Sequence, residues 1–121
     1  IFCEEGKKDK AGNEMTALDM ILDGRLMDLA SITSNSRDYR NQLLNKSRQL
    51  KKYNSREDIT TEYHDVCLYF HDSSLFDEKK LIDGYQRMIG ALKSKNSSTP
   101  LKNVLCAILR KGKLELKEYN F

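Results

Sequence analysis

Thr99-Pro100-Leu101-Lys102-Asn103-Val104-Leu105-Cys106-Ala107-Ile108-Leu109-Arg110-Lys111-Gly112 is the stretch on which the fold turns. A threonine able to cap backbone N–H groups precedes the chain's only proline, whose missing donor costs nothing at a first helical position. Leu101, Val104, Leu105, Ile108 and Leu109 then recur at the spacing of one helix face, and Gly112 is placed to end the helix in a left-handed conformation. Residues 99–112 therefore read as a well-bounded helix.

Towards the N-terminus the same periodicity repeats. Ser74 with Asp77 starts a helix whose Leu81, Ile82, Tyr85, Met88, Ile89 and Leu92 form the broadest apolar surface in the chain. Ser55 with Asp58 starts another, which carries Ile59, Tyr63, Val66 and Phe70 on one face. A helix from about Arg37 to Lys52 has a narrow stripe of Tyr39, Leu43 and Leu50, with Leu44 beside it. Thr16 and Asp19 open a further helix through Leu18, Ile21, Leu22, Leu26 and Leu29, with Gly24 costing it about 1 kcal/mol relative to Ala. Residues 1–14 are charged and broken by Gly6 and Gly12, as a loop or tether would be.

Towards the C-terminus, residues 113–121 alternate apolar and polar with one slip of phase, the pattern of a strand with a bulge. A lone strand is unstable in water, so it needs a neighbour in this chain or in a partner. The expected architecture is mainly α: a compact bundle of about five helices over residues 15–121 with a short C-terminal β-strand, following the 1–14 tether.

The 121 residues suit one domain with its own core. Hydrophobic residues make up 39% and charged ones 32%, too apolar for a disordered chain. No run approaches a membrane span, and the start lacks an apolar signal region. The chain opens at Ile1 rather than Met, and we read it as a piece of a larger protein. Three cysteines, Cys3, Cys67 and Cys106, are too few and too scattered for a secreted disulfide framework, which points to an intracellular setting, cytoplasmic or nuclear.

The net charge of +3 conceals segregation. Residues 37–52 hold six basic side chains against Asp38, residues 57–83 hold eight acids against Lys79 and Lys80, and residues 93–117 hold seven basic side chains against Glu115. If the two basic blocks converge, they make a face that attracts phosphate backbones or an acidic segment. Arg40, Lys46, Arg48, Lys51 and Lys52 are the candidate nucleic-acid contacts. Aromatic interleaving that would stack bases is absent from the run between Tyr39 and Tyr53.

His64, Cys67 and His71, at spacings of three and four, would share an edge of a helix and could supply three zinc ligands, with Cys3 or Cys106 as the fourth. A buried structural Cys67 is the simpler reading. Glu62, Asp65 and Asp72 nearby disfavour a thiolate nucleophile. The phosphate-binding loop, the dinucleotide fingerprint, His-Glu-x-x-His and the nucleophile elbow are all missing, so neither an enzyme nor a cofactor is expected. The leading expectation is a non-enzymatic protein–protein interaction module, an adaptor or scaffold. Its partner would be another protein or a flanking domain, contacted through Leu114, Leu116, Tyr119 and Phe121. Nucleic-acid binding through the basic face is the alternative, zinc binding a minor one.

Overall fold

Val104 to Leu109 is a strand, not a helix. All six residues of this run are apolar, so a helix would have placed apolar side chains around its whole circumference. A strand buried on both sides accommodates them. The computed structural model describes residues 20–22, 25–33, 39–57 and 62–121. In chain order the elements are β1 (Met20–Leu22), β2 (Arg25–Ile32), α1 (Arg40–Asn54), β3 (Asp65–Phe70), α2 (Glu78–Lys93), β4 (Asn103–Arg110) and β5 (Lys113–Asn120), with a 3-10 turn at Ser73–Leu75.

The expected bundle of about five helices is overturned: the described residues form two helices on a mixed sheet, an α/β architecture. Of the helix expected from Thr16 to Leu29, the described residues form β1 and the start of β2, residues 16–19, 23 and 24 lying outside them, and the one expected from Ser55 to Phe70 ends in β3. Parallel strands flanked on two sides carry consecutive apolar residues, and any such run also contains the i, i+3, i+4 spacing of a helix. The burial record of β3 separates the two readings. Val66, Cys67 and Leu68 are buried in succession, and Phe70 follows. The tether expected over residues 1–14 lies outside the described residues.

The strand order is β1-β2-β3-β4-β5, with β2, β3 and β4 parallel and the two edge strands antiparallel to their neighbours. Each parallel step crosses over through a helix. The order never reverses, so crossovers of the usual right hand put α1 and α2 on one face. There Leu43, Leu50 and Tyr53 of α1 and Leu81, Tyr85 and Met88 of α2 join Ile32, Val66, Leu68, Phe70, Val104, Cys106 and Ile108 in a single core. Each fully buried Leu or Met in it contributes about 1.5–3 kcal/mol.

Both helices begin in a tightly tied corner. Asp77 caps α2 by accepting from the Lys80 N–H at 3.2 Å. Tyr39, just before α1, donates its hydroxyl to the Leu75 carbonyl and accepts from the Asp77 N–H at 3.1 Å. Gly84 lets α2 approach this corner: a Cβ there would lie 3.0 Å from the Arg40 nitrogen and 3.1 Å from that of Tyr39. No helix among the described residues is long and apolar enough to cross a membrane.

The opposite face carries Met27 of β2, Cys67 and Tyr69 of β3, and Leu105 and Ala107 of β4. By register, Leu29 lies beside Cys67, and Leu114 and Leu116 of β5 lie beside Leu109 and Ala107. Apolar side chains thus continue across this face to the last strand.

Candidate interaction surface at the last strand

β5 is made by a two-residue turn. Lys111 and Gly112 have φ of +51° and +76°, the left-handed pair that matches the twist of a tight hairpin. That turn fixes the register Arg110↔Lys113 through Asn103↔Asn120 and, with it, which backbone groups face β4. In a two-residue hairpin the residues flanking the turn exchange both hydrogen bonds, and bonded pairs then alternate along the ladder. Residues 113, 115, 117 and 119 therefore bond inward. The Phe121 N–H, donated to the Lys102 carbonyl at 2.7 Å, continues the same parity. Leu114, Leu116, Glu118 and Asn120 consequently present their N–H and C=O groups along the outer edge, which no other strand pairs among the described residues.

Side chains follow the same alternation. Leu114 is 57% exposed and Leu116 51%, on the face away from the helices. On the helix face, Glu115 accepts from Arg110 Nε at 2.9 Å and lies 3.5 Å from Lys117 Nζ, and the Arg110 hydrogen bond holds its carboxyl below the usual range. Lys117 sits 5.4 Å from the Phe76 ring centre. An open hollow of about 370 Å³ at the hairpin tip is lined by Arg110, Lys111, Lys113, Leu114 and Glu115.

The four tail residues expected to meet a partner thus divide. Leu114, Leu116 and Phe121 are exposed, Phe121 also stacking on Tyr85 at 3.9 Å between ring centres, whereas Tyr119 packs on the helix-side core. The bulge expected from the slip of phase is absent, since the pairing with β4 is unbroken from 113 to 120.

At the far end of the same face Arg25 bridges Asp65, at 2.8 Å, and Glu118, while Asn103 donates to Asp65 at 2.8 Å. These partners raise the Arg25 pKa further, Asp65 first. This cluster joins β2, β3, β4 and β5, and it depends on strand register that the linear sequence does not display.

The basic residues are also sorted by the fold. Lys46 is half-buried, its ammonium 3.0 Å from the buried carboxylate of Asp28 and donating to Gln49 Oε1 at 3.2 Å. Arg40 is half-buried, whereas Arg48, Lys51 and Lys52 are exposed on α1. Lys51 Nζ donates to Ser97 Oγ at 3.4 Å, which sets the end of α1 beside the segment holding Lys93 and Lys95. A hollow of about 200 Å³ there is lined by Lys51, Asn54, Ser55, Glu62, Ser98, Thr99 and Pro100.

His64, Cys67 and His71 are spread along an extended segment instead of around a helix turn. His64 Nδ1 hydrogen-bonds with the Pro100 carbonyl at 2.9 Å, Cys67 is buried, and His71 follows β3 in an exposed bend. No group of three His, Cys, Asp or Glu among the described residues could hold a metal ion. Burial pushes the Cys67 thiol up to about 11 and the Cys106 thiol up to about 12, the opposite of an activated nucleophile. Comparison with protein-family models, with curated proteins and with solved structures yields no match for this chain.

Proposed function

We propose that this chain is a non-enzymatic interaction module of a larger intracellular protein, and that it recognises a protein segment by strand addition along the outer edge of β5. The observation that carries the reading is the coincidence on one edge of outward backbone groups at 114, 116, 118 and 120 with exposed leucines at 114 and 116. In strand addition, backbone hydrogen bonds supply affinity and the alternating side chains supply selectivity. Leu114 and Leu116, exposed beside that edge, give a bound strand apolar side chains to pack against.

Leu116→Pro tests it. The N–H of residue 116 faces outward, so proline there spares the β4 ladder while removing a donor from the edge. Capture with Leu116→Pro and with Leu114→Thr/Leu116→Thr should lose the protein partner that the parent retains, at an unchanged unfolding midpoint. Retention of the same partner by both folded variants would count against the edge.

A second reading, polyanion binding, is supported by the meeting of Arg48, Lys51 and Lys52 with Lys93 and Lys95 through the Lys51–Ser97 contact. Phosphate-backbone binding would weaken steeply with salt. No binding to mixed-sequence RNA or DNA at low salt would eliminate it.

A further inference from the structure

We propose that the partner strand at the edge of β5 is β5 of a second copy of this chain, paired antiparallel about a two-fold axis through Leu116. This rests on the outer edge of β5 being the recognition surface, and it adds the identity and register of what binds there.

The argument comes from the charges on β5. Two copies of one strand pair antiparallel in an isologous contact, where residue i faces residue j and j faces i. Only registers that match outward groups with outward groups, and like faces with like faces, can form, so the centre must fall on a residue. Centred on Glu115, the pairing sets Glu115 against its own copy and Lys113 against Lys117. Centred on Lys117 it opposes two lysines, on Glu118 two glutamates, and on Leu114 it brings Lys111 against Lys117. Like charges directly opposite are destabilising.

The register centred on Leu116 has none of these conflicts. Leu116 faces Leu116, Glu115 faces Lys117 on both sides of the axis, Leu114 faces the stem of Glu118, and Lys113 faces Tyr119. Leu114, Leu116 and Glu118 then form hydrogen-bonded pairs, each of which exchanges two backbone bonds. Because Leu116 lies on the face away from the helices in both copies, the exposed Leu114 and Leu116 of the two strands come together on one side of the joined sheet.

Sedimentation equilibrium of the parent over a wide concentration series should show the mass of two chains at the upper end. Hydrogen exchange should show amides 114, 116 and 118 gaining protection as concentration rises, while 113, 115 and 117 are protected throughout. Glu115→Lys should shift the species to one chain, and Glu115→Lys/Lys117→Glu should restore two.

In a Cys3→Ser background, Leu116→Cys should form a disulfide-linked dimer on mild oxidation, since directly opposed residues fall within bridging distance. Leu114→Cys should not, its copy being displaced by four residues of strand, roughly 13 Å. A parent of single-chain mass at every concentration, or cross-linking at 114 equal to that at 116, would overturn the proposal. A single-chain parent that still loses a different protein partner through Leu116→Pro overturns only the self-pairing, whereas one that captures the same partners with or without Leu116→Pro overturns the edge reading too.

Discussion

Lys46 is the residue whose role differs most from its appearance in sequence. Within a block of basic side chains on α1 it reads as surface, yet its ammonium lies 3.0 Å from Asp28, whose residue is 1% exposed beneath the helix. Asp28 Oδ1 also accepts from the Leu29 N–H at 3.1 Å. Lys46→Met removes a cation 3.0 Å from the buried Asp28 carboxylate and should lower the unfolding free energy by about 1–3 kcal/mol in urea titration. Asp28→Leu/Lys46→Met should lose less than the sum of the losses of Asp28→Leu and Lys46→Met; strictly additive losses would show the pair to be energetically idle. A second residue-scale expectation concerns alkaline pH. Burial raises Cys67 to about 11 and Cys106 to about 12 from the usual 9.0, and raises Tyr39 to about 12 from 10.0. The folded chain therefore binds these protons more tightly than the unfolded one. Their contribution to stability is fully present below pH 9 and is lost as pH rises towards 11 and 12. Urea midpoints should fall across that window, and Cys67→Ala/Cys106→Ala should flatten the fall relative to its own value at neutral pH.

At the scale of elements, α2 offers a paired test of packing against propensity. Gly84 and Gly90 both lie inside the helix, where alanine is favoured over glycine by roughly 1 kcal/mol. A Cβ at 90 meets nothing within 4 Å, so Gly90→Ala should raise stability by about 0.5–1 kcal/mol. At 84 the same Cβ would press on the backbone at Tyr39 and Arg40, and Gly84→Ala should destabilise by about 1–3 kcal/mol despite its propensity. Thermal unfolding of both variants checks the opposite signs. α2 was readable from sequence for a related reason, since its apolar residues keep to one face, but it starts at Glu78 with Asp77 as its N-cap, and Ser74, expected to open it, lies in the preceding 3-10 turn. α1 was readable through Tyr39, Leu43 and Leu50, all buried as their spacing predicts. β5 was recognisable because its apolar and polar residues alternate, although both of its faces are largely exposed. The strands β3 and β4 hid, since Val66-Cys67-Leu68 and Val104 to Ile108 are buried without alternation. Their shortness and lack of polar faces were the available signal, outweighed by Thr99-Pro100 and Gly112. Thr99 in fact receives the Leu101 N–H at 3.0 Å and shares a hydrogen bond with Ser47, and Gly112 turns a hairpin. On β5 the apolar residues could be named from sequence; that Tyr119 lies by Phe76 and the exposed Phe121 stacks on Tyr85 could not, since only the tertiary structure brings those rings together.

For the molecule as a whole, β5 combines two features that deletion cannot separate. Its outer edge and its leucines face outward, but its inner edge completes the sheet over eight residue pairs with β4. Tyr119 covers the core, and Phe121 lies on the ring of Tyr85, whose hydroxyl donates to the Leu101 carbonyl at 2.6 Å. Without residues 113–121, β4 becomes the rim: an edge strand whose Val104 to Leu109 are all apolar, the kind of edge that recruits other chains. A chain ending at Gly112 should therefore lose its cooperative unfolding transition and aggregate at concentrations where the parent stays in solution. Leu114→Thr/Leu116→Thr, which keeps the ladder and a strand-favouring residue at each position, should unfold within about 0.5 kcal/mol of the parent. Light scattering beside circular dichroism distinguishes the cases. A soluble, cooperatively folding 1–112 chain would mean that the two helices and the three parallel strands already enclose a sufficient core, leaving β5 attached chiefly for its edge.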